Sequence, residues 1–240
     1  MERMKHSPQL RDRRVQRLLE ERLPQRILLY VFALFLLSLG VVFNVNADLG
    51  ISPIGVVPFV LSLIAGLSMG TFTFMVFAVL VLLQILILRR DFRWIQLSQI
   101  VFAVFSGYFV DFSRFLLGDF RFPTYFGQLL TLSIGMVLIA SGIALHMRAR
   151  IVNLPPAALI LAISTKTPRL KFHQVKILLD SFLVLLAIAL SFSMLGGLYG
   201  VREGTVIAAL LIGRMLPHVY RLWFPMLKKI GLETEDAKSF

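Results

Sequence analysis

Apolar residues gather along this chain into long runs with few charges inside them. Six runs, roughly 26–47, 71–88, 95–116, 127–147, 174–195 and 204–224, approach or exceed the length of helix needed to cross a bilayer. A hydrocarbon core of ~30 Å takes about 20 helical residues. The pattern predicts an all-α protein, a polytopic bundle with six full spans. Two further runs, about 53–66 and 155–165, are too short to be comfortable spans, and each starts at proline: Ser52-Pro53 in the first, Asn153-Leu154-Pro155-Pro156 in the second. These predict short Pro-started helices that re-enter or half-span.

The two short runs sit at matching places in an internal repeat. Setting Gly40 on Gly142 also sets Ala47 on Ala149 and Pro53 on Pro155, a constant offset of 102 (142 − 40). Further along the offset drifts, and Gly107 falls opposite Gly213. Each half reads span, short helix, span, span, with repeat one over 26–117 and repeat two over 127–224 in a single transmembrane domain, 26–225.

Charge decides how the halves are oriented. If the short segments return to the side they entered from, one side of the membrane holds 20 Lys and Arg (1–26, 89–93, 148–171 and the C-terminal tail) and the other holds Arg114, Arg121 and Arg202. If they cross, the split falls to 17 against 6. The positive-inside rule favours the first arrangement, with both termini cytoplasmic in a bacterial inner membrane. Three spans per repeat then place the second copy upside down, an inverted-topology pair.

Composition agrees with lipid as the solvent: 58% of the residues are hydrophobic, 16% are charged, and the mean hydropathy is +0.82. The formal charge of +12 is spread between apolar runs rather than over one face, which argues against nucleic acid as a partner. Residues 1–25 form a basic tail in which Ser7-Pro8 starts a short amphipathic helix ending at Pro24; the first span is retained rather than cleaved as a signal peptide. Residues 226–240 form a second cytoplasmic tail. No cysteine is present and the four histidines show no ligand spacing, so neither a metal nor another cofactor is expected. No hydrolase elbow, phosphate loop or paired catalytic carboxylates point to an enzyme.

Polar residues near the breaks and inside the spans are the candidates for chemistry. Asn44, Asn46 and Asp48 match His146, Arg148 and Arg150 across the repeat, with Ser52 and Asn153 leading into the short helices. Proline-led helix starts inside a membrane are expected to offer N–H donors to a small polar or anionic solute. Asp180 lies about two turns into its span and can pair with Lys176, four residues earlier. Arg214 sits mid-span and calls for a carboxylate, Asp111 or Asp180, while Gly213 beside it allows another backbone to come close. Gln99, Ala103, Gly107 and Asp111 form a small, polar face, with Arg114 placed to pair Asp111.

Three stretches in order, Ala47-Asp48-Leu49-Gly50-Ile51-Ser52-Pro53, Val175-Lys176-Ile177 with Asp180, and Gly200-Val201-Arg202-Glu203-Gly204-Thr205 leading to Gly213, resemble the YczE/YyaS/YitT-like family of bacterial multi-pass membrane proteins. The resemblance covers about residues 26–217. It implies an inner-membrane location and little chemistry. In the second repeat Arg150-Ile151-Val152 replaces Asp48-Leu49-Gly50, so the two breaks differ chemically. The repeat points to a small-solute transporter or permease with a polar site between its halves. The alternative is a membrane protein that regulates or scaffolds a partner.

Overall fold

The computed structural model describes residues 23–167 and 169–232. The amphipathic helix expected before Pro24 and the tail beyond residue 232 lie outside the described residues. Those described form a helical bundle: α1 (Leu23–Ala47), α2 (Pro53–Ala65), α3 (Met69–Leu88), α4 (Ser98–Leu117), α5 (Tyr125–Ala149), α6 (Pro155–Lys166), α7 (Phe172–Leu195) and α8 (Glu203–Lys229). Two 3₁₀ turns, Arg89–Asp91 and Trp94–Leu97, join α3 to α4. Six of the helices are long and apolar enough to cross a membrane; α2 and α6 are the short ones.

Local chemistry sets the helix ends. Pro53 occupies the first helical position of α2, and Pro155 and Pro156 open α6, where the missing N–H is least costly. Ser68 caps α3 by accepting the Thr71 N–H at 3.1 Å, and Thr124 caps α5 by accepting from Gly127 at 3.2 Å. One prediction ran short: α8 continues through Pro217 and Pro225 to Lys229.

At the centre α1 and α5 pack antiparallel with their backbones nearly touching. A Cβ on Gly40 would lie 2.7 Å from the Gly135 carbonyl and 2.8 Å from the Ile139 nitrogen. A Cβ on Gly142 would lie 2.8 Å from the Ala33 carbonyl and 2.9 Å from the Leu37 nitrogen. Glycine at both crossings permits the van der Waals contact that replaces hydrophobic driving force inside lipid. Around this pair α4 packs on α1, α8 on α5, α2 on α7 and α6 on α3.

The bundle has two ends. At the near end, where α1 begins, the Gln84 amide of α3 meets Gln99 of α4 and the Pro155 carbonyl of α6. At the far end Asn46 of α1 donates to the Gly118 carbonyl at 2.8 Å, and Ile51 donates to the Gly200 carbonyl at 2.9 Å. Each short helix begins and finishes at one end. α6 starts against Gln84 and finishes where Lys166 pairs with Asp91, both at the near end of α3. α2 starts beside Gly200 and leads to Ser68, whose hydroxyl donates to Asp111, only two turns from the far end of α4. Both short helices thus start and finish toward a single end of the bundle, and six helices are long and apolar enough to span.

Candidate functional site

The first break is held by the α7–α8 turn. Asp48 adopts a left-handed conformation (φ 56°), and its carbonyl accepts from the Arg202 guanidinium at 2.6 Å. The Leu49 carbonyl accepts the Gly204 N–H at 2.7 Å. Gly50 (φ 107°) comes so close that a Cβ there would sit 2.6 Å from Thr205 Oγ1. The strand-like gap between two helices thus has its freed backbone groups satisfied by protein, as a break at membrane depth requires. The Asp48 carboxylate itself is half exposed and lies 3.6 Å from Arg121, a weak pair. Ser52 is buried at the α2 N-cap, but its side chain makes no capping bond.

The second break repeats the backbone of the first. Arg150 is also left-handed (φ 51°), at the position matching Asp48, and the preceding Ala149 carbonyl accepts from Arg26 at 3.3 Å. Two non-glycine residues in this costly region at corresponding positions mark a shared turn geometry with different side chains. Arg150 and Asn153 are both exposed, and Arg148 stacks over Tyr220 at 4.2 Å.

The helix starts beside the breaks do not hold the donor set expected for an anion. The Gly55 and Val56 N–H groups both go to the Ser52 carbonyl, and that of Ala158 goes to Leu154. Pro53, Pro155 and Pro156 have none to give. The prolines that favour these helix starts remove the groups that would have bound the ligand.

Asp111 has a structural task that sequence spacing concealed. Its carboxylate accepts the Gly70 N–H at 2.8 Å and the Ser68 hydroxyl at 2.7 Å, capping α3 from α4. Below it Gly70 and Gly107 touch: a Cβ on Gly107 would lie 2.6 Å from the Gly70 carbonyl. Arg114 pairs with Asp119 at 3.2 Å, not with Asp111, because the Asp111 side chain turns toward α3. Arg214 is exposed, and among the described residues it forms no ion pair with Asp111 or Asp180; it stands on the face of α8 opposite the residues buried against α5. Gly213 meets no heavy atom within 4 Å among the described residues, so the close backbone approach expected there is not made.

Among the described residues Asp180 is the one buried carboxylate, 8% exposed, eight residues into α7 and so about 12 Å from that helix's start. One oxygen is taken by Lys176, as the spacing predicted. The other, Oδ1, is buried without a hydrogen-bond partner. One turn on, Leu183 and Ala187 pack against Val56, Val57 and Val60 of α2. A carboxylate at this depth is costly without partners, and Asp180 has only one of its oxygens engaged.

Further buried polar groups lie along the central pair. Asn44 is fully buried with neither amide atom bonded, and His146, 102 residues on, has an unbonded Nε2. The Tyr30 ring lies 4.7 Å from that of His146. Gln84, which the sequence reading passed over, is fully buried and exchanges amide hydrogen bonds with Gln99 at 3.2 and 3.4 Å. Its signal was a lone amide inside Leu82-Leu83-Gln84-Ile85-Leu86. The residues singled out from sequence do not converge on one point: Asp48 and Ser52 lie at the far end, Arg150 and Asn153 at the near end, Asp111 on the α3 cap, Asp180 within α7 and Arg214 outside. Among the described residues no three His, Asp or Glu gather as metal ligands.

Comparison with known proteins places this arrangement. Over 150 residues, 62% of this chain and 67% of its relative, the sequence is 29% identical to a protein described as "Uncharacterized membrane protein YczE" from Bacillus subtilis (strain 168). No solved structure matches. Residues 24–221 match the model of a family described as "Family of unknown function (DUF6198)", and the span of that match takes in every helix from α1 into α8: the chain is a membrane protein belonging to this YczE-like family.

Proposed function

We propose that the chain is a small-solute transporter of the bacterial inner membrane, built from two inverted repeats with its polar site between them. One observation carries the reading. The offset of 102 that takes Gly40 to Gly142 also takes Ala33 to Gly135 and Leu37 to Ile139, and Gly40 touches the second pair as Gly142 touches the first. Antiparallel helices whose contacts exchange in this way are related by a two-fold axis lying across them, the relation of an inverted repeat. The outer helices follow the same rule, since α2 of one half packs on α7 of the other and α6 packs on α3. The sequence supports it once more: Leu80-Val81-Leu82-Leu83 in α3 matches Leu183-Val184-Leu185-Leu186 in α7 at an offset of 103 (183 − 80).

Each short helix therefore wedges between its own half and the third helix of the opposite half, the place where inverted-repeat carriers hold their solutes. Asp180 lies on the α7 face that receives α2, and it is the ionisable group of this site. The near end, which carries Arg89, Arg90, Arg93, Arg148 and Arg150, faces the cytoplasm. Purified protein screened against small charged and polar metabolites by thermal shift, then by uptake into liposomes, tests the reading. Stabilisation by at least one solute that is also taken up is the expected result; neither effect across a broad panel overturns it.

The exposed Arg214 favours a second reading, a membrane protein that regulates or scaffolds a partner. A guanidinium in mid-span on an outward helix face costs free energy unless something covers it. Deleting residues 1–22 and probing for captured membrane partners separates the two: a transporter keeps its uptake, a tail-dependent regulator loses its partner.

A further inference from the structure

The helices around Asp180 carry almost no charge. No residue of α2 or α3 is ionisable, and α6 has only its last residue, Lys166, which pairs with Asp91. Leu179, beside Asp180, packs on the Val56, Val57 and Val60 cluster of α2 and also on the cluster of Phe77, Leu80, Ala103 and Leu159 from α3, α4 and α6. Among the described residues Lys176 is therefore the cation that this apolar region supplies to the carboxylate, and it engages Oδ2 while Oδ1 stays buried without a partner. The pair is also arranged to open. Its base precedes its acid, the weaker order for residues four apart on a helix. Lys176 lies four residues into α7, about 6 Å from the near end, and its stem leaves the helix tilted toward that end. Its side chain is 42% exposed, so the ammonium can turn away to the headgroup level, whereas Asp180 at 8% exposure cannot follow.

We infer that Asp180 binds a small alkylammonium solute, and that Lys176 is a tethered cation that occupies the carboxylate until the solute replaces it. The free Oδ1 calls for an N–H donor, and an ammonium with two or more N–H groups reaches both oxygens once Lys176 has left. Valine and leucine side chains on α2 and α7 suit an alkyl body. An anion would meet the charge of Asp180. A metal ion would need several oxygen ligands, and among the described residues no three His, Asp or Glu gather to provide them. One carboxylate in apolar surroundings does not hold two cations, so solute and Lys176 exclude each other. This inference rests on the proposed function's placing of Asp180 in the solute site and names the class of solute.

The probe is n-butylammonium, added to the purified full chain in detergent at neutral pH with sodium chloride balancing the ionic strength; the readout is the midpoint of thermal unfolding. Butylammonium should raise the midpoint. In Lys176→Gln half of the rise should come at about fivefold lower concentration, as when the tethered ammonium leaves the carboxylate free about a fifth of the time. Lys176→Arg keeps the pair through a fork that takes both oxygens and should move the response to about fivefold higher concentration, which reads the competition even where Lys176→Gln does not fold. Tetramethylammonium, which has no N–H, and butyrate should give no rise, and Asp180→Asn should respond to none of the three. No rise with butylammonium, a rise that survives in Asp180→Asn, or the same half-saturating concentration in the natural chain and the Lys176 variants overturns the inference. Butylammonium binding without uptake of any solute removes the transport reading alone; uptake of an uncharged or anionic solute that Lys176→Arg leaves unchanged removes the cation site alone.

Discussion

Asp180, Gly40 and Gln84 each show how a side chain at membrane depth is constrained by what it touches. Asp180 shares one oxygen with Lys176, whose side chain is 42% exposed, so the pair is only partly desolvated and contributes modestly to stability. Asp180→Asn keeps the shape and removes the titratable charge. On the proposed function it should abolish uptake while lowering stability by about 1–2 kcal/mol, measured by thermal unfolding beside the transport assay. Uptake kept with stability lost would reduce Asp180 to a structural partner. Gly40→Val forces a Cβ into the Gly135 carbonyl and should destabilise the bundle by about 1–3 kcal/mol, seen as early unfolding in detergent. Gln84→Leu removes the bond to the Pro155 carbonyl and leaves the Gln99 amide buried alone, a loss of about 1–3 kcal/mol by the same measurement. Gly40 and Asp180 stood out in the sequence, one by its repeat position and the other by its depth. Gln84 was overlooked because a single amide in an apolar run gives no hint of the partner it will find.

Helices α2 and α6 were recognisable from length and from the prolines that begin them. Their use was not. The dipole argument expected free N–H groups at their starts, and the same prolines remove most of those groups, so the proposed function looks to the face between α2 and α7 instead. Asp111 shows a similar shift. Its spacing with Gln99 and Gly107 marked a bundle-facing stripe, correctly, but its carboxylate was assigned to Arg114 when it caps a different helix. Such caps join helices 41 residues apart in sequence, from Gly70 to Asp111, and no local pattern announces them. Asp111→Asn keeps an acceptor for the Gly70 N–H but removes the charge at the α3 start, and should lower stability by about 0.3–1 kcal/mol in thermal unfolding.

Across the bundle, the positive-inside rule predicts an orientation from where the arginines lie. Single cysteines at Asp91 and Val152, near the α3 and α5 ends that carry them, should resist an impermeant thiol reagent in intact cells, while cysteines at Asp119 and Tyr199 should react. Labelling of the first pair from outside would invert the topology and place the basic end where the positive-inside rule forbids it. Arg214 belongs to the same level of description. Its surroundings are set by α8 leaning on α5 and standing off α7, which turns it outward rather than toward either expected carboxylate.

Six runs of sufficient apolar length could only become spans, and proline with too few residues behind it could only make short helices, because the cost of unpaired backbone in hydrocarbon leaves no other outcome. The long helices and the Pro-led breaks were therefore written in the order of residues. The pairing of helices was not, since inside lipid apolar surface does not drive one helix onto another and partners are chosen by backbone approach and single hydrogen bonds. Folding in three dimensions put Gly40 on Gly135, Asp111 on Gly70 and Gln84 on Pro155, and it left Gly213 with empty space where its counterpart has a neighbour.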